Sequence, residues 1–293
     1  MKVAVVGIGR MGAAMVGRLR GAGLDVTVHN RTRATAAGVA ARTGASVADT
    51  PREAVAGADV TVVSLADDAA MVATYEGDDG VIAGVHPDAV VCDTSTVDPR
   101  TVRRIAPLVG GRGGALLDAP VSGSVPVVEQ GALTVMVGGD EAALGRARPV
   151  LETFGRAIFH LGDSGAGATM KLVVNAAVHA LNVAISEALV LAERAGLDRT
   201  ATYDVLQAGA VGAPFVAYKR SAFLEPDETT PPFSLDLVAK DLDLILALAE
   251  SVGAPMAQGD ANRAVVAAAV AAGMGERDLS GVAEHLRRDQ RPG

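Results

Sequence analysis

Four apolar residues, Val3-Ala4-Val5-Val6, run straight into Gly7-Ile8-Gly9-Arg10-Met11-Gly12, and no other stretch restricts the fold so tightly. In a G-x-G-x-x-G loop between a strand and a helix, one glycine makes the tight turn. A second lets the backbone approach a pyrophosphate, and a third lets helix and strand pack closely. The helix N-terminus that follows meets the negative charge. The spacing alone is weak in a chain with 34 glycines, and an ordinary turn would use the same residues. The setting favours a dinucleotide site, because a strand precedes the loop, a helix-compatible stretch runs on to Arg20, and a second strand ends at His29. Gly7, Gly9, Arg10, Met11 and Gly12 are the first cofactor-binding candidates.

The adenine ribose is read at the end of the second strand, about 20 residues beyond the first glycine. An NAD-selective site normally offers Asp or Glu there, whereas this chain has Asn30-Arg31-Thr32. No carboxylate repels a 2′-phosphate, and Arg31 can pair with one through charge-assisted hydrogen bonds while Thr32 adds a hydroxyl. NADP(H) is therefore expected over NAD(H). A solvated loop arginine is the alternative for Arg31.

Up to residue 162, short β-branched runs alternate with alanine-rich, helix-compatible stretches. Strands are expected at 2–6, 25–29, 60–64, 89–93, 115–118, 133–137 and 157–161. The first four read as continuous apolar runs, the mark of a parallel sheet covered on both faces. Beyond Gly162 the β-branched clusters vanish, and apart from Gly167 no Gly or Pro interrupts residues 166–195. A helix there would be about 45 Å long, and further helices are expected at 199–208, 234–252, 257–272 and 280–288. The chain thus divides into an α/β, doubly wound Rossmann-type domain at 1–162 and an all-helical domain at 163–293, joined by the long helix. Its 293 residues suit two domains of ordinary size.

Several classes are disfavoured. With 26 Lys+Arg against 34 Asp+Glu, the net charge is −8, and no basic run exceeds Arg287-Arg288, which argues against a nucleic-acid partner. Cys92 is the lone cysteine, so neither an internal disulfide nor a cysteine-based metal site is expected, in keeping with a reducing, cytoplasmic setting. His29, His160 and His179 lack metal-ligand spacing and read as packing or surface residues. The apolar start is too short for a signal peptide. The apolar stretch after residue 172 is cut by His179, Asn182, Glu187 and Glu193, so no membrane span is expected.

Chemistry-bearing residues appear at the domain junction. Lys171 and Asn175 are four apart and share a helix face. A lysine desolvated among apolar neighbours loses proton affinity, which suits proton transfer near neutral pH, although a lysine so placed can also snorkel to water. Asp118-Ala119-Pro120-Val121-Ser122-Gly123-Ser124 follows a strand, where backbone N–H groups and hydroxyls can hold a carboxylate or simply form a turn. Lys240-Asp241-Leu242 lies on an otherwise apolar helix, where an exposed polar face is the plain reading.

Four segments in this order, GxGxxG, DAPVSG, GxxGxGxxxKxxxN and KDL, resemble the β-hydroxyacid dehydrogenase family over almost the whole chain. The resemblance is nearest to glyoxylate/succinic semialdehyde reductases, through Asn30-Arg31-Thr32, Pro120 to Ser124, Met170 to Asn175 and Ser186 to Ala192. It implies that Lys171 is the acid/base, that Asn175 and Ser122-Gly123-Ser124 hold a small carbonyl or hydroxy acid, and that Phe233 closes the pocket. It further implies that Leu65, Thr96 and Lys240 contact the cofactor, that Asp241 orients nearby groups at the substrate, and that the protein is a homodimer or homotetramer. Two departures stand out. Leu65-Ala66 replaces a common Leu-Pro, and Ser124-Val125-Pro126-Val127-Val128 replaces a more glycine-rich substrate loop, which leaves the substrate open. An imine reductase would commonly carry Asp or Tyr at position 171, a non-catalytic cofactor-binding relative would lack the lysine, and a sugar-phosphate dehydrogenase would need a longer helical domain.

Overall fold

The computed structural model describes residues 1–226 and 233–288, in two compact units, Met1–Lys171 and Leu172–Gly293. In the first unit, β1 (Lys2–Val6), β2 (Asp25–His29), β3 (Ser46–Val47), β4 (Val60–Val63), β5 (Val90–Asp93) and β6 (Ala115–Asp118) form one parallel sheet of order β3-β2-β1-β4-β5-β6. Val3 sits opposite Val26 on one side and Val60 on the other. Because side chains alternate along a strand, the same valine-rich runs feed two cores. Val3, Val5, Val28, Val62 and Cys92 pack with Met15, Leu19 and Val39 on one face, whereas Val6, Val63 and Val91 pack with Met71, Tyr75, Ile105 and Val109 on the other. The fold is therefore doubly wound. Its strand order reverses about β1, so the loops after β1 and β4 open beside each other at the carboxyl edge, where ligands of such sheets bind.

The runs expected at 133–137 and 157–161 do not join this sheet. They form β8 (Leu133–Val137) and β9 (Gly155–His160), which pair in parallel, with β7 (Val121–Ser122) antiparallel to β8. β3 and β7 span two residues each, too short for any periodicity to show. β9 starts earlier than expected, at Gly155, where a Cβ would sit 2.5 Å from a Val135 methyl and 3.1 Å from the Leu151 carbonyl oxygen.

Among the described residues the second unit is helical, with helices Arg199–Ala208, Pro214–Leu224, Leu235–Val252, Ala257–Ala269 and Gly281–Arg288 packed on the long helix Ala166–Arg194 that enters it. Leu172, Leu189, Tyr203, Phe223, Leu242 and Val266 belong to its core. Helix Pro214–Leu224 was not anticipated. It starts on a proline, whose fixed φ suits a first helical position, and buries Phe215, Val216 and Phe223. The helix expected to reach residue 272 loosens into a π-turn at Val270–Met274, where Gly273 has φ +81°. The long helix has the length and composition to cross a membrane, with a mean hydropathy of 1.5 in its most apolar window. It also buries Asn175, His179, Asn182 and Ser186 inside this unit. Those residues recur at a spacing of three or four and form one polar stripe, with Asn182 donating to the Leu279 carbonyl at 2.9 Å.

Candidate active site

The glycine loop uses its three glycines differently. Gly7 has φ +91°, and a Cβ on it would lie 2.1 Å from the Ser64 carbonyl oxygen at the end of β4. A Cβ on Gly12 would lie 2.1 Å from the Gly7 oxygen, so this residue lets helix Arg10–Gly21 close on the turn. At Gly9 a Cβ would meet nothing within 4 Å. The space there is open, the helix that follows has no side-chain cap, and its first turn carries no acidic residue. A helix start without an acidic residue, beside an open glycine, fits a pyrophosphate. Arg10 is exposed and Met11 half-buried at this edge.

Asn30 ties the loop in place. Its Oδ1 accepts from the Ile8 N–H at 2.9 Å and its Nδ2 donates to the Thr32 carbonyl at 3.1 Å, so the amide is already engaged by backbone. Arg31 and Thr32 beyond it are exposed. Arg33 pairs with Asp49, but Arg31 has no ion-pair partner among the described residues.

The ends of β4 and β5 are joined by a buried network that sequence reasoning missed. Tyr75 Oη donates to Asp93 Oδ2 at 2.7 Å, the Ser95 N–H donates to Asp93 Oδ1 at 2.8 Å, and the Leu65 N–H donates to Ser95 Oγ at 2.8 Å. Leu65 and the half-buried Thr96 thus sit on two loops held together from below. Burial raises the Asp93 carboxyl above its ordinary value, against the hydrogen bonds from Ser95 and Tyr75, and burial next to Asp93 pushes the Tyr75 phenol well up.

Asp118 also escaped attention, although it opens the segment singled out for its hydroxyls. Its Oδ1 accepts from the Gly165 N–H at 2.9 Å and its Oδ2 from the Ala168 N–H at 2.8 Å, which caps the long helix three residues before Lys171. Burial raises this carboxyl, while those same N–H bonds pull it back. A Cβ on Gly167 would lie 2.4 Å from the carbonyl oxygens of both Asp118 and Met136, so the glycine lets the helix start against the strands. Lys171 is half-buried at the end of this unit.

Ser122 lies in β7, paired with Thr134. Gly123 has φ +137°, with Leu133 Cδ2 2.6 Å from where a Cβ would stand. The loop that departs from the family pattern forms a short helix, Val125–Glu129, pinned by buried Val128. Ser124 precedes it without capping it, and its buried Oγ has no hydrogen-bond partner among the described residues.

In the helical unit, Asn175 Nδ2 donates to Asp241 Oδ2 at 2.6 Å. Asp241 is fully buried, so the exposed polar face expected for Lys240-Asp241 as the plain reading is not what forms. Lys240 Nζ stands 3.1 Å from Asp241 Oδ1 and His179 Nε2 3.6 Å from Asp241 Oδ2. Phe233 stacks on His179, with ring centroids 6.2 Å apart and planes 24° from parallel. A carboxylate only accepts, so the Asn175 amide must turn its nitrogen to Asp241, which leaves a second N–H as donor and the carbonyl oxygen as acceptor toward another group. Asn175, Phe233, Lys240 and Asp241 are thus brought together, and His179 joins them. Its one sequence signal was its position, one turn beyond Asn175 on the same helix face.

Residues 2–162 match a family described as the NAD binding domain of 6-phosphogluconate dehydrogenase, and residues 165–286 one described as NAD-binding of NADP-dependent 3-hydroxyisobutyrate dehydrogenase. Glyoxylate/succinic semialdehyde reductase 1 of Arabidopsis thaliana is 33% identical over 287 residues, covering 98% of this chain and 99% of the plant protein. NAD-dependent L-serine dehydrogenase of Pseudomonas aeruginosa is 34% identical over 286 residues, 95% of either chain. Among solved structures, Mycobacterium tuberculosis 3-hydroxyisobutyrate dehydrogenase with L-serine superimposes with a TM-score of 0.83 at 34% identity, over 98% of this chain and 99% of that one.

Proposed function

This chain belongs to the NAD(P)-dependent β-hydroxyacid dehydrogenase family, and we propose that within it the protein is an NADPH-dependent oxidoreductase interconverting a small aldehyde or keto acid with its hydroxy acid. The substrate is of the glyoxylate/succinic semialdehyde or 3-hydroxyisobutyrate type. The observation that carries this reading is the Asn175–Asp241 hydrogen bond of 2.6 Å, which fixes a substrate-orienting amide one helical turn from Lys171.

A bound nicotinamide supplies the hydride in reduction and accepts it in oxidation. As hydride reaches a carbonyl carbon, negative charge grows on the oxygen, and the Lys171 ammonium provides both the field and the proton. Asn175 offers its second Nδ2–H to the oxygen of a carbonyl substrate and its carbonyl oxygen to the hydroxyl of the hydroxy acid. The Ser122 to Ser124 segment takes the carboxylate, and the unpartnered, buried Ser124 Oγ supports this role because a buried hydroxyl without a partner is costly until a ligand supplies one. Phe233 closes the pocket. The exposed, unpaired Arg31 supports NADPH through a contact to the 2′-phosphate. We assign residues 1–162 to cofactor binding and 163–293 to substrate binding and homo-oligomer formation, the latter supported by exposed Leu191, Leu197 and Val205 on the helical unit; light scattering checks it, a dimer or larger being expected.

The two serine-linked relatives favour a second reading, NAD-dependent oxidation of a β-hydroxy acid such as L-serine. A substrate panel followed by cofactor absorbance separates them. Glyoxylate, succinic semialdehyde, methylmalonate semialdehyde, tartronate semialdehyde and a cyclic imine are supplied with NADPH or NADH, and 3-hydroxyisobutyrate and L-serine with NADP+ or NAD+. Faster turnover of a carbonyl acid with NADPH is expected. Turnover confined to L-serine with NAD+ selects the second reading, and turnover confined to the imine rejects both.

A further inference from the structure

His179 is 2% exposed, and neither ring nitrogen has a hydrogen-bond partner among the described residues. Burying an imidazole this way is unfavourable, and an aliphatic side chain of similar size would fill the same space without that cost. Two contacts give the ring its meaning. Nε2 lies 3.6 Å from Asp241 Oδ2, the oxygen that already accepts from Asn175 at 2.6 Å. The ring stacks on Phe233. Phe233 immediately precedes Ser234, whose Oγ accepts from the Leu237 N–H and caps the helix that carries Asp241. His179 therefore touches that helix at its entry and again at the carboxylate that holds Asn175.

We propose that His179 is a positioning residue for the reaction, donating its Nε2–H to Asp241 Oδ2 so that the carboxylate, held by Lys240 on its other oxygen, keeps the Asn175 amide in its substrate-orienting pose. The role rests on the assignment of Asn175 to substrate binding. A carboxylate oxygen has room for two donors, and hydrogen bonds of catalytic groups are commonly long in the free protein and shorten when substrate binds. Among the described residues, Asp241 lies 3.6 Å from the ring and Lys240 3.1 Å from the far carboxylate oxygen. The geometry requires the neutral ring to carry its proton on Nε2, since an unprotonated Nε2 would face a carboxylate oxygen lone pair to lone pair.

Two measurements test this. Long-range 1H–15N spectra of the histidine rings, with the His179 signal assigned by its loss in His179→Gln, report the proton position without any turnover. Protonation at Nε2 is expected, and a neutral ring protonated only at Nδ1 overturns the proposal. In the second, His179→Gln keeps an N–H near the Nε2 position, whereas His179→Leu keeps the bulk without the donor. His179→Leu is expected to raise KM for the carbonyl acid about tenfold, the effect of one ordinary hydrogen bond, with kcat and NADPH affinity little changed, and His179→Gln to stay within about threefold of the parent. Equal KM values for the two variants overturn the role. In an Asn175→Ala background the leucine change should lose its effect, and full additivity overturns the route through Asn175. If the parent protein turns over no carbonyl acid, the functional reading falls, and the ring-proton measurement still decides the placement of His179.

Discussion

The glycine loop and the Asp241 cluster reach their order by opposite means. In the loop, backbone does the work: Gly7 and Gly12 are required because a Cβ would lie 2.1 Å from a carbonyl oxygen, and Gly9 keeps the space beside the helix start open. The glycines lie within six positions of one another, although the oxygen that crowds Gly7 belongs to Ser64 at the end of β4. In the cluster, side chains do the work, and the Asn175 amide meets a carboxylate 66 residues further along the chain. A site made of backbone is written in local spacing, whereas a site made of buried side chains depends on which helix faces pack.

The sharpest way to break this contrast is to remove the one side chain on which the proposed chemistry turns. Lys171→Ala is expected to lower kcat at least ~10²-fold, as loss of a general acid does, with NADPH binding nearly intact by fluorescence titration. Near-normal turnover would remove Lys171 from the mechanism. Next in size is Arg31→Ala, which should weaken NADPH relative to NADH by about one to two orders of magnitude, the worth of a hydrogen bond to a charged group at roughly 1.5–3 kcal/mol. An unchanged ratio of dissociation constants would show that the ribose is read elsewhere.

The loop itself can be split by a pair of variants. Gly7→Ala places a Cβ against the Ser64 carbonyl at φ +91° and should cost about 1–3 kcal/mol of stability in a denaturant titration. Gly9→Ala meets nothing, so its unfolding midpoint should match the parent while NADPH affinity falls. Equal stability losses would mean that Gly9 serves the fold rather than the ligand.

The smallest effect belongs to a surface cluster of the helical unit. Arg287 and Arg199 donate to Glu193 at 2.7 and 2.6 Å and hold its carboxyl below the ordinary range, the Arg287 bond first. A depressed carboxyl contributes stability above its unfolded value and loses it as pH falls through the folded one. Glu193→Gln should therefore cost less than about 1 kcal/mol at neutral pH, and the difference should vanish in acid below the ordinary carboxylate range. A difference that persists there would make the contact one of packing.

Much of the fold was legible. β1, β2, β6 and β8 fall where the apolar runs placed them, and helix Arg199–Ala208 has the expected bounds. These elements announce themselves because burial on both faces demands a continuous apolar run and because helix caps sit beside what they cap. Two-residue strands lack that signal, and so does the choice of sheet: β8 and β9 read like the other strands yet pair with each other, and β8 with β7, in a separate sheet. Asp118 was in view but read for its neighbours, since a side chain that caps a helix beginning 48 residues later leaves no local trace.

From sequence alone follow the doubly wound first half, the helical second half, the glycine loop, the Asn30-Arg31-Thr32 stretch and the Lys171/Asn175 spacing, all of which depend on neighbours within a few turns of chain. Tertiary structure alone decided that Asn30 is engaged by the Ile8 and Thr32 backbone, that Asp118 caps the long helix, and that Asp241 is buried with Asn175, Lys240 and His179 about it. A polar side chain acquires its partner only when distant elements pack, and in a buried site the partner determines what that side chain can still offer a ligand.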